Sequence, residues 1–137
     1  MRAFVDTNVL VYAVDRAEPD KRAKARAVLE AGEHDLVLSP QVLAEFHVVA
    51  TRRLAEPVPA PAAEAMIEAL LPLVTVTIDG GLVRTAVARA RDWGVSLWDA
   101  LVLVSAEVAG CEVVFSEDFS TDGRYGELRI VNPFESA

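Results

Sequence analysis

Residues 3–12 read Ala3-Phe4-Val5-Asp6-Thr7-Asn8-Val9-Leu10-Val11-Tyr12. Three consecutive apolar residues, a polar tripeptide and a second apolar run predict a short buried strand, a turn and a first helix. A strand without in–out alternation belongs in a sheet covered on both faces, as parallel sheets are. Asp6 therefore stands where such a strand ends.

The same rhythm continues along the chain. A helix is predicted over Asp20–Ala31, with Gly32 placed to end it. Leu36-Val37-Leu38 reads as a second strand. Ser39 and Pro40 suit the cap and first position of a helix running to about Arg53. Three prolines between Glu56 and Pro61 predict a loop. A helix over Ala62–Leu71 and a third strand at Val74–Val76 follow. Helices over Asp79–Asp92 and Ser96–Ala109 end near Gly94 and Gly110. Val113–Phe115 is the fourth strand and Arg129–Val131 a candidate fifth. Short apolar strands alternating with helices predict an α/β fold, with a mainly parallel central sheet of four to five strands and helices on both faces. With 137 residues, no internal repeat and no linker, residues 1–137 are expected to form a single domain.

Composition narrows the function. The net charge of −8 argues against a passive nucleic-acid binder, which carries a basic footprint. An acidic protein acts on a polyanion only where cations screen its acids, so the placement of those acids decides. Cys111 is the only cysteine and lies in an apolar stretch, which predicts a buried, inert thiol and excludes a disulfide framework within the chain. No basic segment leads into an apolar one, and no apolar run approaches the ~20 residues that span a bilayer. The expected setting is the cytoplasm, with no membrane partner.

Asp6 and Asp118 each follow a predicted strand, and ligands of open α/β sheets bind outside the carboxyl ends of strands. For Asp6 the competing role is to cap the helix that follows. Glu45 falls between Val48 and Val49 on its helix, inside the arc that also holds Val42, Phe46 and Ala50. A carboxylate aimed at a core needs a partner or a metal. The alternative is a boundary position with its tip turned to solvent or to an arginine. His47 falls on the other side of that helix. Asp99 lies in the first turn of a helix that is apolar nearly all round, which predicts burial. Ser96-Leu97-Trp98-Asp99 also fits a capping box, a structural role compatible with a free carboxylate oxygen facing a metal. Glu117 adjoins Asp118 and competes for its place, whereas Asp122-Gly123 is a plain turn.

Two carboxylates about 5 Å apart repel by roughly 3 kcal/mol at an effective dielectric of 20, so gathering four calls for cations. Hard oxygen donors select Mg²⁺ or Mn²⁺, ions that activate water and hold phosphate oxygens. One cysteine and two histidines, His34 and His47, give little for a soft metal. No Walker A, GxGxxG or GxSxG pattern is present.

Four blocks of the chain resemble the PIN-domain family, and within it the VapC-type toxins. They are Phe4-Val5-Asp6-Thr7-Asn8-Val9-Leu10, Leu38-Ser39-Pro40-Gln41-Val42-Leu43-Ala44-Glu45-Phe46, Ser96-Leu97-Trp98-Asp99-Ala100-Leu101-Val102 and Val114-Phe115-Ser116-Glu117-Asp118-Phe119. They come in the family's order and span nearly the whole chain. The resemblance implies metal-dependent cleavage of single-stranded RNA, often a tRNA or rRNA. It implies a homodimer and a cognate antitoxin that inserts a segment beside the acidic pocket. It assigns the four acidic places to Asp6, Glu45, Asp99 and Asp118, with Thr7, Asn8 and Ser116 in supporting positions.

Two rival readings fit the same residues. One is a PIN-like binding module without catalysis. The other is a Mg²⁺-dependent hydrolase of small phosphoesters, although no second Asp follows two residues after Asp6. RNA binding also calls for positive charge. Five of the 13 basic residues lie between Arg16 and Arg26, with Arg52-Arg53 and Arg84, Arg89 and Arg91 as other groups. Each group reads first as a solvated or ion-paired helix face.

Overall fold

The computed structural model describes residues 1–135. Among these, four strands form one parallel sheet: β1 (Arg2–Val5), β2 (Asp35–Val37), β3 (Val113–Phe115) and β4 (Arg129–Val131), in the order β2-β1-β3-β4. Phe4 lies opposite Val37 on one side and Val114 on the other. Ala3, Phe4 and Val5 are wholly buried, as an unalternating apolar run requires.

Helices fill the connections: α1 (Thr7–Tyr12), α2 (Pro19–Glu30), α3 (Pro40–Arg52), α4 (Ala60–Leu70), α5 (Gly80–Trp93) and α6 (Leu97–Val108). The chain leaves β1 towards β2 and leaves β3 towards β4. These opposite departures open a crevice between the carboxyl ends of β1 and β3. Asp6 and Ser116-Glu117-Asp118 follow those two strands. The Asp6 N–H still bonds to the Phe115 carbonyl at 3.0 Å, so the sheet carries into the crevice.

Local chemistry sets the helix ends. The Ser39 hydroxyl accepts from the Val42 N–H, the Asp79 carboxylate from the Leu82 N–H, and the Ser96 hydroxyl from the Asp99 N–H. Gly94, at φ +67°, closes α5 in the left-handed conformation that glycine adopts without strain. Phe4, Leu10, Leu38, Phe46 and Leu103 are the largest wholly buried side chains.

Three expectations need correction. Val74–Val76 is not a strand: only Val74 pairs, through a single parallel bridge to Leu38, after the 3₁₀ turn Leu71–Leu73 delivers the chain to the sheet edge. Val76 is buried in the core without sheet pairing. The loop before α4 ends at Pro59, because Pro61 falls in the first turn of the helix, where its missing N–H has no intrahelical partner. The third correction concerns α6. Residues 100–106 are buried, yet Trp98 and Val108 are 64% and 67% exposed at its two ends. No helix among the described residues is long and apolar enough to cross a membrane.

Candidate functional site

Asp6 is the buried anchor of the crevice. Its Oδ1 accepts the Thr7 N–H at 2.8 Å, so it does cap α1. That leaves Oδ2, which accepts the Ser116 hydroxyl at 2.7 Å and the Asn8 amide at 3.3 Å. Capping and a second role therefore use different oxygens. Asn8 braces the crevice: its Nδ2 also donates to Ser116 Oγ and Asp118 Oδ2, each at 3.1 Å, and its Oδ1 accepts the Glu117 N–H at 3.3 Å. Ser116 Oγ in turn accepts the Asp118 N–H at 3.0 Å.

Glu45 projects from α3 to meet α1. Its Oε2 accepts the Thr7 hydroxyl at 2.8 Å and its Oε1 the Gln41 amide at 2.9 Å. Gln41, one turn earlier on the same face, also donates to the Trp98 carbonyl at 3.2 Å. This links α3 to the first turn of α6, where Asp99 stands half-buried. Gln41 escaped the sequence reading, although its spacing of four from Glu45 was the available signal.

The two neighbours Glu117 and Asp118 part company. Asp118 turns to Asn8 and the other acids. Glu117 turns to Tyr12, whose hydroxyl donates to it at 2.8 Å, and to Lys21, which pairs with it at 3.3 Å. Lys21 also donates to the Tyr12 hydroxyl and lies 4.6 Å from the centre of its ring. Neither Tyr12 nor Lys21 stood out in the sequence, because the separation of 96 positions between Lys21 and Glu117 hides the pairing.

The electrostatics follow from this placement. Burial pushes the Asp6 carboxyl up to about 6. The Ser116 and Thr7 hydrogen bonds oppose that rise, and the charges of Asp118 and Glu45 add to it. The Asp99 carboxyl is also raised, first by burial and then by Asp118 and Glu45, against the Ser96 hydroxyl. Among the described residues, Asp6, Glu45, Asp99 and Asp118 form no ion pair with a lysine or arginine, whereas Glu117 does.

Hard oxygen donors with unneutralised charge suit a divalent cation. The buried Gln41 Oε1, which has no hydrogen-bond donor among the described residues, adds an acceptor beside Glu45. Among the described residues no three acidic, histidine or cysteine side chains converge tightly on one point. In donor type and charge the site fits Mg²⁺ or Mn²⁺, and the side chains must draw together to grip one.

A cleft of about 680 Å³ runs from this site between α1 and α3. Thr7, Asn8, Glu45 and Asp118 line its acidic end, Val11 and Val49 its wall, and Arg53 its far end. Elsewhere, burial pushes the Cys111 thiol up to about 11, as expected of an inert core cysteine.

Comparison with known proteins agrees with this architecture. A toxin–antitoxin complex from Klebsiella pneumoniae contains a chain 22% identical, aligned over 98% of this chain and 99% of its own, with a TM-score of 0.69. FitAB bound to the IR36 DNA fragment gives 20% identity over 98% and 97% of the two chains and a TM-score of 0.71. VapC20 of Mycobacterium tuberculosis, a sarcin–ricin loop cleaving toxin, gives 24% identity over 93% and 98%, with a TM-score of 0.64. At such identities the likeness is one of fold. No curated protein matches the sequence. The family model of the PIN domain matches residues 3–121, a span that takes in all four acids of the crevice, and the chain belongs to the PIN domain family.

Proposed function

We propose that residues 1–137 act as one metal-dependent endoribonuclease unit that cuts single-stranded regions of RNA, as the toxin of a toxin–antitoxin pair in the cytoplasm. The observation that carries the reading is the set of four carboxylates without a basic partner at the carboxyl edge of a parallel sheet. A structural ion-pair network neutralises its acids, whereas a metal site keeps them free. The toxin–antitoxin complex among the structural neighbours supports an antitoxin partner, and the neighbour that cleaves the sarcin–ricin loop supports the choice of RNA. A homodimer is part of the same proposal.

Asp6 and Asp99 would hold the principal Mg²⁺ or Mn²⁺, with Glu45 and Asp118 sharing it or a second ion. The bound cation supplies the positive charge that activates water and stabilises phosphate oxygens during in-line displacement. The chain's own part is orientation. Ser116 and Thr7 fix the two oxygens of Asp6, Thr7 and Gln41 fix those of Glu45, and Asn8 ties Asp118 to Asp6. Ser96 holds the first turn of α6, from which Asp99 projects. Glu117, engaged by Tyr12 and Lys21, shapes the rim of the crevice.

The test is cleavage of end-labelled single-stranded RNA by wild type, Asp6→Asn and Asp99→Asn, with Mg²⁺ or Mn²⁺ and with excess EDTA. Cleavage by wild type alone, abolished by EDTA, supports the reading. Undiminished cleavage in both variants or in EDTA sinks it. The separation of the carboxylates favours a second reading, a binding module without catalysis. Calorimetry showing no heat with Mn²⁺ supports that alternative.

A further inference from the structure

A second cleft, of about 470 Å³, lies beyond the acidic one. Arg16, Arg22 and Arg26 line it, against Glu56 as the single carboxylate, with Val58 and its flanking prolines as an apolar floor. Arg22 and Arg26 are four apart on α2 and so share a face, and Arg16 precedes that helix. Arg26 Nε donates to the Ala13 carbonyl at 2.9 Å, which holds its side chain in place. The side chains of Arg16 and Arg22 have no ion-pair or hydrogen-bond partner among the described residues. The lysines of the same helix differ: Lys21 is engaged by Glu117 and Lys24 by the Phe134 carbonyl. In a chain of net charge −8, three arginines converge on one cleft.

The two clefts adjoin. The connection after α1 gives Asp15 to the acidic cleft and its neighbours Val14 and Arg16 to the basic one. The end of α3 gives Arg53 and Leu54 to the first, and Glu56 to Val58 follow into the second. Along α3 and into its C-cap, Glu45, Val49 and Arg53 recur every four residues, on one face. Eight residues at 1.5 Å rise separate Glu45 from Arg53 by about 12 Å. A strand leaving the acids therefore meets an apolar wall, then Arg53, then the three arginines. Asp15 stands near Arg53, but it forms no ion pair with it, and its Oδ1 accepts the Ala17 N–H at 3.0 Å.

We propose that the Arg16–Arg22–Arg26 cleft, reached past Arg53, binds the phosphate backbone of the RNA strand a few nucleotides from the bond being cut. The inference rests on the nuclease reading of the acidic site. Guanidinium groups suit the role, because each presents a planar fork to phosphate oxygens and stays charged. Recognition through phosphates tolerates any base sequence, and it places affinity away from the metal site.

The experiment measures binding of labelled single-stranded RNA to the full chain carrying Asp6→Asn, over a series of salt concentrations, with wild-type cleavage followed in parallel. Arg16→Ala/Arg22→Ala should weaken binding of a long strand several-fold. It should also flatten the slope of log affinity against log salt by about 1.4, since each single-strand phosphate contact contributes about 0.7. A strand too short to leave the acidic cleft should bind as before. Glu56→Gln should tighten the long strand, a gain that no misfolded variant can give. Long-strand affinity and salt slope equal to those of the parent in both variants overturn the inference, even if the arginine substitutions weaken binding of an acidic protein partner. If wild type still cleaves RNA in that case, only the backbone cleft falls. If wild type cleaves none and the Asp6→Asn chain binds none, the nuclease reading falls with it.

Discussion

The Ser116 hydroxyl donates to Asp6 Oδ2 at 2.7 Å across 110 residues of sequence, joining the ends of β1 and β3 in a buried bond. Ser116→Ala removes that donor and also leaves the Asp118 N–H and the Asn8 amide without one acceptor. The Asp6 carboxyl should rise further above its present value of about 6. Stability should fall by about 1–3 kcal/mol, the usual effect of leaving buried polar groups unpaired. Urea melts and cleavage rates at fixed Mn²⁺ check this. A variant as stable and active as wild type removes the bond from the account.

The raised Asp6 carboxyl makes stability depend on pH in a stated direction. Its folded value of about 6 lies above its ordinary 3.8. The folded chain therefore holds a proton that the unfolded chain has released between about pH 4 and pH 6. Metal-free stability should decline as pH rises through that window, by roughly 3 kcal/mol in the limit. Asp99 acts in the same direction. Mn²⁺ should restore stability near pH 7 and do much less near pH 4.5, where Asp6 is protonated. A metal-free Tm that climbs from pH 4 to pH 7 contradicts the assignment.

Asp6→Asn separates stability from activity. It removes a buried charge and keeps the shape of the side chain. Cleavage should be lost, while the metal-free chain at pH 7 melts no lower than wild type. Differential scanning calorimetry beside a cleavage assay reads both, and a variant that unfolds at room temperature contradicts the expectation.

Glu117 and Asp118 should answer differently to the same chemical change. Asp118→Asn should lower cleavage by at least tenfold, because its carboxylate faces the other acids. Glu117→Gln keeps an acceptor for Tyr12 and loses a partly exposed ion pair worth up to about 1 kcal/mol. Its cleavage rate should stay within about threefold of wild type. The reverse ranking in a side-by-side assay would hand the fourth acidic place to Glu117.

Gln41→Ala should act through Glu45. The loss frees one oxygen of Glu45 and the tie to the Trp98 carbonyl, so Mn²⁺ affinity should drop modestly. Glu45→Gln should remove most activity. Calorimetry that finds Mn²⁺ bound as tightly in Gln41→Ala as in wild type shows that Gln41 does not position Glu45.

Much of this arrangement was legible in the sequence because its signals are local. The unbroken run Ala3–Val5 announced a strand of a parallel sheet, and Ser39, Asp79, Ser96 and Gly94 marked helix ends that the structure keeps. Glu45 was visible as an acid within an apolar arc. Other features depended on pairing across the chain. Val74–Val76 has the composition of a strand, but its neighbour at the sheet edge offers only one bridge. Trp98 carries the apolar character of a core residue, yet it falls in the first turn of α6 and stays exposed. The choice between Glu117 and Asp118 turned on Lys21 and Tyr12, which no spacing rule ties to residue 117.

The sheet order has a consequence in time. β1 is made before its neighbour β3, which is completed only at Phe115. A ribosome paused before Val113 holds a chain with Asp6, Glu45 and Asp99 already in it, but with one flank of β1 open and nothing to seat Asp6 against Ser116. Such long-range pairing forms late, because the intervening chain must first be gathered. On the nuclease reading, activity therefore cannot precede the synthesis of Phe115 and Ser116, a delay written into the strand order and requiring no inhibitor.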